Sequence, residues 1–402
     1  GTAQVTIHIG GLTASCEIEV TDVPQIEGDY EYKILNGEVV ITKYLGSDST
    51  VVIPDTIAGY PVTVISDRAF YQNQTITQIT LPESLTKIGS YAFAECGLTS
   101  VVIPKNITRV DDYAFQESQL ESAVFTDGDE QTKTTLGQGT FYNCKNLETV
   151  KLSENITTMG QNIIYGTNVK SIVVPKRVES KIEGMSGSLA NDKSLREIIF
   201  AEGTERISDD IATYAKCVEN IIIPSGVKQI GTRAFEETYG LTQLFLPEGL
   251  ETIGNYAFAY SGLKNISIPA SVTEIGEYTF LDCKNLVIYG IPGSYAETYA
   301  KENGITFKDG SDVYTPFELT SIAFPEKFYL QVGDVSKITY TTSPKITEEQ
   351  AMTARWESND TQILVVNSSG VVTALKNGTA QVTIHIGGLT ASCEIEVTDV
   401  PQ

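Results

Sequence analysis

Histidine is nearly missing from this 402-residue chain. The two present, His8 and His385, occupy the same place in a duplicated segment, so residues 26–384 hold none. A Ser-His-Asp triad, or any dyad that needs an imidazole as its base, therefore cannot be assembled from the central part of the chain. H-E-x-x-H, a Walker loop, G-x-S-x-G and C-x-x-C are missing too. No run of about 18 apolar residues occurs, so no helical membrane span is expected. No signal peptide is present either. The chain opens GTAQVTIHIGG, which reads as mid-domain sequence, and the expectation is a fragment whose export signal and anchor lie elsewhere. Basic residues are scarce: 28 Lys and Arg face 51 Asp and Glu, a formal charge of −23. Such a surface lacks the counter-charge that phosphates need and disfavours an anionic bilayer.

The remaining near-matches to reactive sites read as structural. Gly184-Met185-Ser186-Gly187-Ser188 lacks the last glycine of a nucleophile elbow and sits in an insert. Asp111-Asp112, Asp209-Asp210 and Asp127/Asp129/Glu130 fall at turns of different repeats, whereas a glycosidase needs two carboxyls converging across about 5–10 Å. Asp127-Gly128-Asp129-Glu130 lacks the spacing of a known calcium loop. The chain is thus expected to be no enzyme, with no cofactor and no metal site. Of the six cysteines, Cys16 and Cys393 are duplicates, and Cys96, Cys144, Cys217 and Cys283 share one place in non-adjacent repeats. Non-adjacent strands of a ladder lie about 10 Å apart, beyond the roughly 7 Å reach of a disulfide, so buried free thiols are expected.

What is present in abundance is repetition. LTSVVIPKNITRVDDYAFQES from Leu98, LTQLFLPEGLETIGNYAFAYS from Leu241 and LKNISIPASVTEIGEYTFLDC from Leu263 are copies of one unit. The openings at Ile76, Leu98, Leu120, Leu147, Val169, Leu195, Val218, Leu241, Leu263 and Leu286 are 22 to 27 residues apart. Within a unit, Leu98, Val101 and Ile103 have the spacing of a strand with an inward face, and Pro104 ends it because it has no N–H for the ladder. Ile107 and Val110 turn inward next, and Ala114 and Phe115 fill the opposite wall. One unit cannot bury its apolar side alone; stacking buries it against neighbours along a continuous parallel ladder.

The pattern I-P-x-x-[VIL]-x-x-I-G-x-x-A-F, seen at Ile268, Pro269, Val272, Ile275, Gly276 and Phe280, resembles the leucine-rich repeats of the BspA-like (Bacteroides surface protein A-like, or Treponema pallidum type) family. The resemblance covers about residues 28–307 and implies a right-handed solenoid of about ten coils with a parallel sheet. The inserts TDGDEQTKTTLG and ESKIEGMSGSLAND, and Ile163-Ile164 in place of Ala-Phe, mark the coils expected to be least regular. Tyr30–Gly59 reads as an N-terminal cap, a hairpin with Asn36-Gly37 at its turn. Gly293–Gly304 reads as a capping helix with Ser294 as N-cap and Gly304 as its stop. The sequons at Asn106, Asn155 and Asn265 are spelled by the repeat itself.

After a linker at 308–316, residues 317–402 run as short alternating segments separated by turn residues, the pattern of a β-sandwich. Val332-Gly333, Trp356-Glu357-Ser358-Asn359-Asp360, Gly370-Val371-Val372-Thr373-Ala374 and Gly378-Thr379-Ala380 resemble the group-2 bacterial immunoglobulin-like (Big) domain. The fold class expected is mainly β: solenoid at 26–307, sandwich at 317–402. Residues 1–25 are identical to residues 378–402. Either they are the two-strand remnant of a preceding sandwich in a tandem array, which is the favoured reading, or an artificial duplication. Two lone strands are marginal in water. They are expected to add to the first coil or to exchange strands with a neighbouring molecule.

The outward sheet positions are the expected binding face. Two places after each opening residue the series is polar: Gln78, Ser100, Ser122, Thr149, Ser171, Glu197, Asn220, Gln243 and Asn265. Four places after, it is Thr80, Val102, Val124, Lys151, Val173, Ile199, Ile222, Phe245 and Ser267. The apolar six, Val102, Val124, Val173, Ile199, Ile222 and Phe245, form a stripe suited to a protein ligand; the competing explanation is plain strand propensity. Tyr91, Tyr113, Tyr256 and Tyr278 are a second series, expected to pack half-buried on the convex side. The resemblance implies an extracellular, secreted or surface-attached bacterial protein of adhesin type, binding host-matrix or bacterial surface proteins through this face. The rival reading is a stalk that displays another domain.

Overall fold

In a computed structural model, residues 2–9, 12–19, 24–180, 186–191, 193–314, 319–324, 327–351, 353–367 and 370–398 are described. Each coil of the central region has three sides. On the first, Ser100–Ile103 pairs in parallel with Ser122–Phe125, and that with Thr149–Lys151. Val101, Ile103 and Leu98 are buried, as the repeat pattern requires. Each such aliphatic side chain contributes about 1.5–3 kcal/mol when fully withdrawn from water.

The second side carries a second parallel ladder, built from two- to four-residue strands such as Lys87–Ile88, Arg109–Val110 and Thr134–Leu136. Among the described residues its parallel pairing runs from Glu38–Tyr44 to Glu179–Ser180 and again from Arg206–Ile207 to Glu274–Ile275, with Tyr30–Leu35 and Gln25–Glu27 added antiparallel at the N-terminal edge. The sequence pattern contains these segments only as inward Ile107 and Val110, because a two-residue strand has no alternation to read. The irregularities fall where the inserts lie. The register slips between Thr134 and Thr135, and among the described residues no strand continues the ladder beyond Glu179–Ser180 until Arg206–Ile207.

The third side holds Ala-Phe. Phe70, Phe93, Phe115 and Phe141 stack at centroid distances of 4.9, 5.3 and 5.6 Å, and Phe235, Phe258 and Phe280 at 5.5 and 5.6 Å. Between these two aromatic spines, Ile164, Leu189 and Ala212 take the ring positions. Backbone bonds cross this side as well: Phe93 N–H donates to Ala114 O at 2.7 Å and Phe115 N–H to Thr140 O at 3.0 Å. Reaching those partners forces left-handed backbone at two places per coil, for example Tyr91 and Glu95, Tyr113 and Glu117, Tyr256 and Tyr260. Non-glycine residues adopt it at a cost of about 1–2 kcal/mol each, offset here by the inter-coil bonds.

The glycine of Ile-Gly has a different reason. At Gly254 a Cβ would stand 2.6 Å from Thr232 N and 2.7 Å from Gly231 C, so adjacent coils meet backbone to backbone at this corner. The residue that follows often accepts a hydrogen bond from the next coil: Asp112 Oδ1 from Gln138 N–H, Asp209 Oδ1 from Thr232 N–H, and Asn255 Oδ1 from Glu277 N–H, each at 2.8 Å.

Both expected caps are present. Tyr30–Leu35 and Glu38–Tyr44 form the hairpin, with Asn36 and Gly37 both at positive φ. The helix Tyr295–Glu302 closes the far end, Tyr299 lying edge-on to Phe280 at 6.0 Å. Ser294 occupies the N-cap place without a side-chain cap bond; instead the Glu297 carboxylate accepts from Gly293 N–H at 2.7 Å. Gly304 is left-handed just beyond the helix. One element went unread: Thr306–Asp309 pairs in parallel with Val287–Gly290, so Lys308 and Asp309 end a strand rather than begin a linker. With the caps included, the solenoid has about 12 turns.

In the C-terminal sandwich, Phe328–Gln331, Leu389–Thr398, Gly378–Ile386 and Arg355–Ser358 make one sheet in that order. Val335–Lys337, Val371–Ala374 and Leu364–Val366 make another. Trp356 is buried between them with Tyr340 edge-on at 5.5 Å. Gly370, at φ +74, leaves room for that indole: a Cβ there would lie 2.7 Å from the ring. The N-terminal strands Thr2–Ile9 and Leu12–Glu19 pair with one another, and among the described residues the sheet of the first coil ends at Gln25–Glu27 without them.

Three substitutions test this packing by urea denaturation. Phe115→Ala, which breaks the aromatic spine, is expected to cost about 3–5 kcal/mol. Gly254→Ala is expected to cost about 1–3 kcal/mol through forced separation of two coils. Glu117→Gly should act in the opposite direction, raising stability by up to about 1 kcal/mol, because it removes a left-handed glutamate.

Candidate functional site

The outward face of the first side is set by strand alternation: with Val101 and Ile103 inside, Ser100 and Val102 face out. Parallel pairing puts equivalent residues side by side, Val102 opposite Val124, Val124 opposite Lys151, Val173 opposite Ile199, and Ile199 opposite Ile222. Val102 is 59% exposed and Val173 49%, while Val124, Ile199, Ile222 and Phe245 are half-buried. Val52, 64% exposed, extends the row through Thr80, its partner in the ladder. The spelling VVIPDT at 51–56 matches VVIPKN at 101–106 and could have placed Val52 in the series.

The polar row changes character halfway along. Glu197 and Asn220 are buried, not solvated. Asn220 Nδ2 donates to Glu197 Oε1 at 2.8 Å and Ser171 Oγ to Glu197 Oε2 at 2.9 Å, a chain across three adjacent coils. Burial pushes the Glu197 carboxyl above its ordinary pKa, Glu357 adds to the rise, and Ser171, Asn220 and Arg355 oppose it. Arg355 and Glu357 belong to the sandwich, whose Gln362 Nε2 also donates to Glu148 O at 3.1 Å. The sandwich thus approaches the middle of the sheet face, on either side of Val173, while Val52 and Val102 lie toward the N-terminal end. No sequence signal marks that approach.

The acidic pairs serve the stack. Asp111 is buried and paired with Lys87 at 2.9 Å and with Arg109, and Asp210 pairs with Arg233 at 2.8 Å. Asp129 accepts from Gln131 N–H, Thr132 N–H and the Thr132 hydroxyl, which hold its carboxyl below the usual range. Asp127 accepts from Glu154 N–H. Among the described residues no group of three or more His, Cys, Asp or Glu is placed to hold a metal ion.

Of the near-elbow, Gly184 and Met185 lie outside the described residues, and Ser188 is buried with its hydroxyl on Met159 O. Cys96, Cys144 and Cys283 donate their thiols to the carbonyls of Phe70, Phe115 and Phe258 in the preceding coil. Burial pushes Cys96 and Cys144 up to about 12. All six cysteines are free thiols, Cys16 exposed and Cys393 buried. Tyr91 stacks on Tyr113 at 5.3 Å and Tyr256 on Tyr278 at 5.1 Å; the first three are half-buried and Tyr278 is 55% exposed.

A two-ladder solenoid of leucine-rich type joined to an immunoglobulin-like sandwich is the class of molecule these features define. The family model described as BspA type leucine rich repeat region, in six copies, matches residues 63–185 and 185–301, and a bacterial Ig-like domain matches residues 352–399. The chain belongs to the BspA type leucine-rich-repeat family. It is similar to a leucine rich cell surface protein of Faecalibacterium prausnitzii, at 20% identity over 71% of this chain and 98% of that one, with a TM-score of 0.30. The pneumococcal vaccine antigen PcpA is 18% identical over 67% of this chain and 81% of its own, TM-score 0.37. The T. pallidum leucine rich repeat protein is 17% identical over 71% and 98%, TM-score 0.27. A comparison with curated proteins finds no match.

Because the folded carboxyl of Glu197 holds its proton more tightly than the unfolded one, its contribution to stability is full below the unfolded pKa and is lost as pH rises through the folded pKa. Glu197→Gln, which keeps the Asn220 and Ser171 contacts without the charge, should therefore melt higher than the parent chain at pH 8. The two melting temperatures should converge at pH 4, as followed by circular dichroism.

Proposed function

We propose that this chain is an extracellular, non-catalytic binding protein of a bacterial surface, an adhesin-type molecule that engages a protein ligand through the outward row of its sheet. The ligand class is a host-matrix or bacterial surface protein. The observation that carries the reading is the apolar row beside a polar one: Val52, Val102 and Val173 stand exposed at equivalent outward positions of their coils. Apolar rows flanked by polar groups, on a face already ordered, bind with little entropic loss.

The stalk reading draws on a different observation, the approach of Arg355, Glu357 and Gln362 to Glu197 and Glu148, which partly covers the face. The two readings separate by experiment. Immobilised extracellular-matrix proteins and whole bacterial cells are the probes, with capture measured by surface plasmon resonance and cell pull-down. Val52→Ser/Val102→Ser/Val124→Ser should lower capture at least tenfold. Ile199→Ser/Ile222→Ser/Phe245→Ser, nearer the sandwich, should lower it less. Unchanged capture by both folded variants discards the face, and no capture by the parent chain favours the stalk.

A further inference from the structure

The tyrosines of the third side stand in columns in which one ring covers the next. Tyr91 stacks on Tyr113 in the following coil, and the Arg68 guanidinium of the preceding coil lies 5.4 Å from its centroid. Tyr256 stacks on Tyr278 at 5.1 Å, and there the column ends, because the capping helix Tyr295–Glu302 follows instead of another coil. Among the described residues no further ring and no cation lies over Tyr278, which is 55% exposed where Tyr256 is half-buried. Its ring lines a hollow of about 390 Å³ between the last coil and the cap, together with Leu281, Asp282, Lys284, Asn303 and Ile305. The polar groups of this hollow are uncommitted. The Asp282 carboxylate and the Lys284 ammonium have no hydrogen-bond or ion-pair partner among the described residues. Asn303 gives its Nδ2 to Tyr299 O at 2.9 Å, which leaves Oδ1 as an open acceptor.

We propose that this hollow is a carbohydrate-binding site, in which one hexose ring of a glycan lies on the open face of Tyr278 and hydrogen-bonds to Asp282, Lys284 and Asn303. The face of an aromatic ring carries negative charge density. The axial C–H bonds of a pyranose with equatorial hydroxyls are polarised positive and form a flat patch that matches it. Each hydroxyl both donates and accepts, so two oxygen acceptors and one ammonium donor serve successive hydroxyls. The hollow falls within the roughly 300–1,000 Å³ of small-ligand sites. An apolar side chain in the same place would leave Asp282 and Lys284 desolvated and unpaired. A quaternary ammonium fits poorly, since cages that hold such ions enclose them with several rings and Lys284 repels a cation. The site is also set before a ligand arrives. Tyr278 and Asp282 are held at φ +57 and +58, and Tyr260 N–H donates to Leu281 O between them at 2.7 Å. Little ordering entropy is then lost on binding. The site lies on the third side at the capped end and does not depend on the outward row of the first side.

Saturation-transfer NMR on the full chain tests the site, with cellobiose, lactose and N,N′-diacetylchitobiose as probes titrated through the millimolar range. At least one sugar should receive saturation, strongest at the axial ring protons of a single residue. Tyr278→Phe keeps the ring face and should bind as the parent chain does. Tyr278→Asn, which suits left-handed backbone, should weaken binding about tenfold. Asp282→Asn, for the same backbone reason a mild change to the fold, should weaken it at least threefold. Circular dichroism checks that each variant is folded, and Asp282→Asn with Lys284→Met decides the matter if Tyr278→Asn is not. No saturation of any of the three sugars by the parent chain overturns the proposal. So does undiminished binding by the folded ring-removal variant, or by Asp282→Asn and Lys284→Met together. Displacement of the bound sugar by choline at equal concentration overturns it too, because the ring would then be serving a cation.

Discussion

Everything in the solenoid depends on backbone hydrogen bonds that pass between coils on its three sides. Thr108 N–H reaches Thr86 O at 2.9 Å on the second side and Phe115 N–H reaches Thr140 O at 3.0 Å on the third, while Ser100–Ile103 ladders onto Ser122–Phe125 on the first. The constraint is one of registration: each coil must present the same donors and acceptors at the same height as its neighbour. Positions that look idiosyncratic in one repeat become necessary once the stack is considered. Gly254 is small because a neighbouring backbone lies where its Cβ would be. Tyr91 and Tyr113 tolerate left-handed backbone because only that turn aims their N–H groups along the stack. Asp112 and Asp209 are acceptors for the next coil, which explains doublets of acids that would otherwise suggest chemistry.

The same constraint makes stability local. A repeat array is approximately a sum of repeat and nearest-neighbour terms, so its weakest part is where neighbours match least well. Here that is the middle, where Ile164, Leu189 and Ala212 replace the stacked rings. Glu197 sits close to that region, bonded to Ser171 on one side and Asn220 on the other. Side-chain hydrogen bonds across three coils reinforce the stack where ring packing is interrupted.

Much of this was legible in the residues. The period gave the coil, and Leu98, Val101, Ile103, Ile107, Val110, Ala114 and Phe115 are all buried as their spacing requires. Asn36-Gly37 and Gly304 marked the two caps through backbone preferences that depend on little else. What was not legible has a common cause. The Arg109–Val110 strand, the Thr306–Asp309 strand and the burial of Glu197 and Asn220 arise from contacts with another segment, not from a pattern within their own. Local alternation needs four or more residues to register, and a polar side chain on an outward position reads as solvated until its neighbour across the ladder is known.

That limit sharpens the argument about the sheet face. Strand propensity explains Val, Ile and Phe at outward positions, but it applies equally to both outward rows. Ser100 and Val102 share a strand and a face, as do Ser122 and Val124, and Ser171 and Val173. Ser has poor strand propensity, so propensity alone would not keep one row Ser, Asn, Gln and Glu while filling the other with Val, Ile and Phe. Proximity to the core does not separate them either, since Val102 is more than half exposed. A surface that binds through an apolar row oriented by a polar one accounts for the division, and so does a surface that receives the sandwich. The two differ in where the apolar residues should be open. Val52 and Val102, toward the N-terminal end and away from Arg355 and Glu357, retain their exposure, whereas Val173 lies beside the strand of Glu197. The sandwich alone therefore leaves the far end of the row without a reason, which is what supports the proposed ligand.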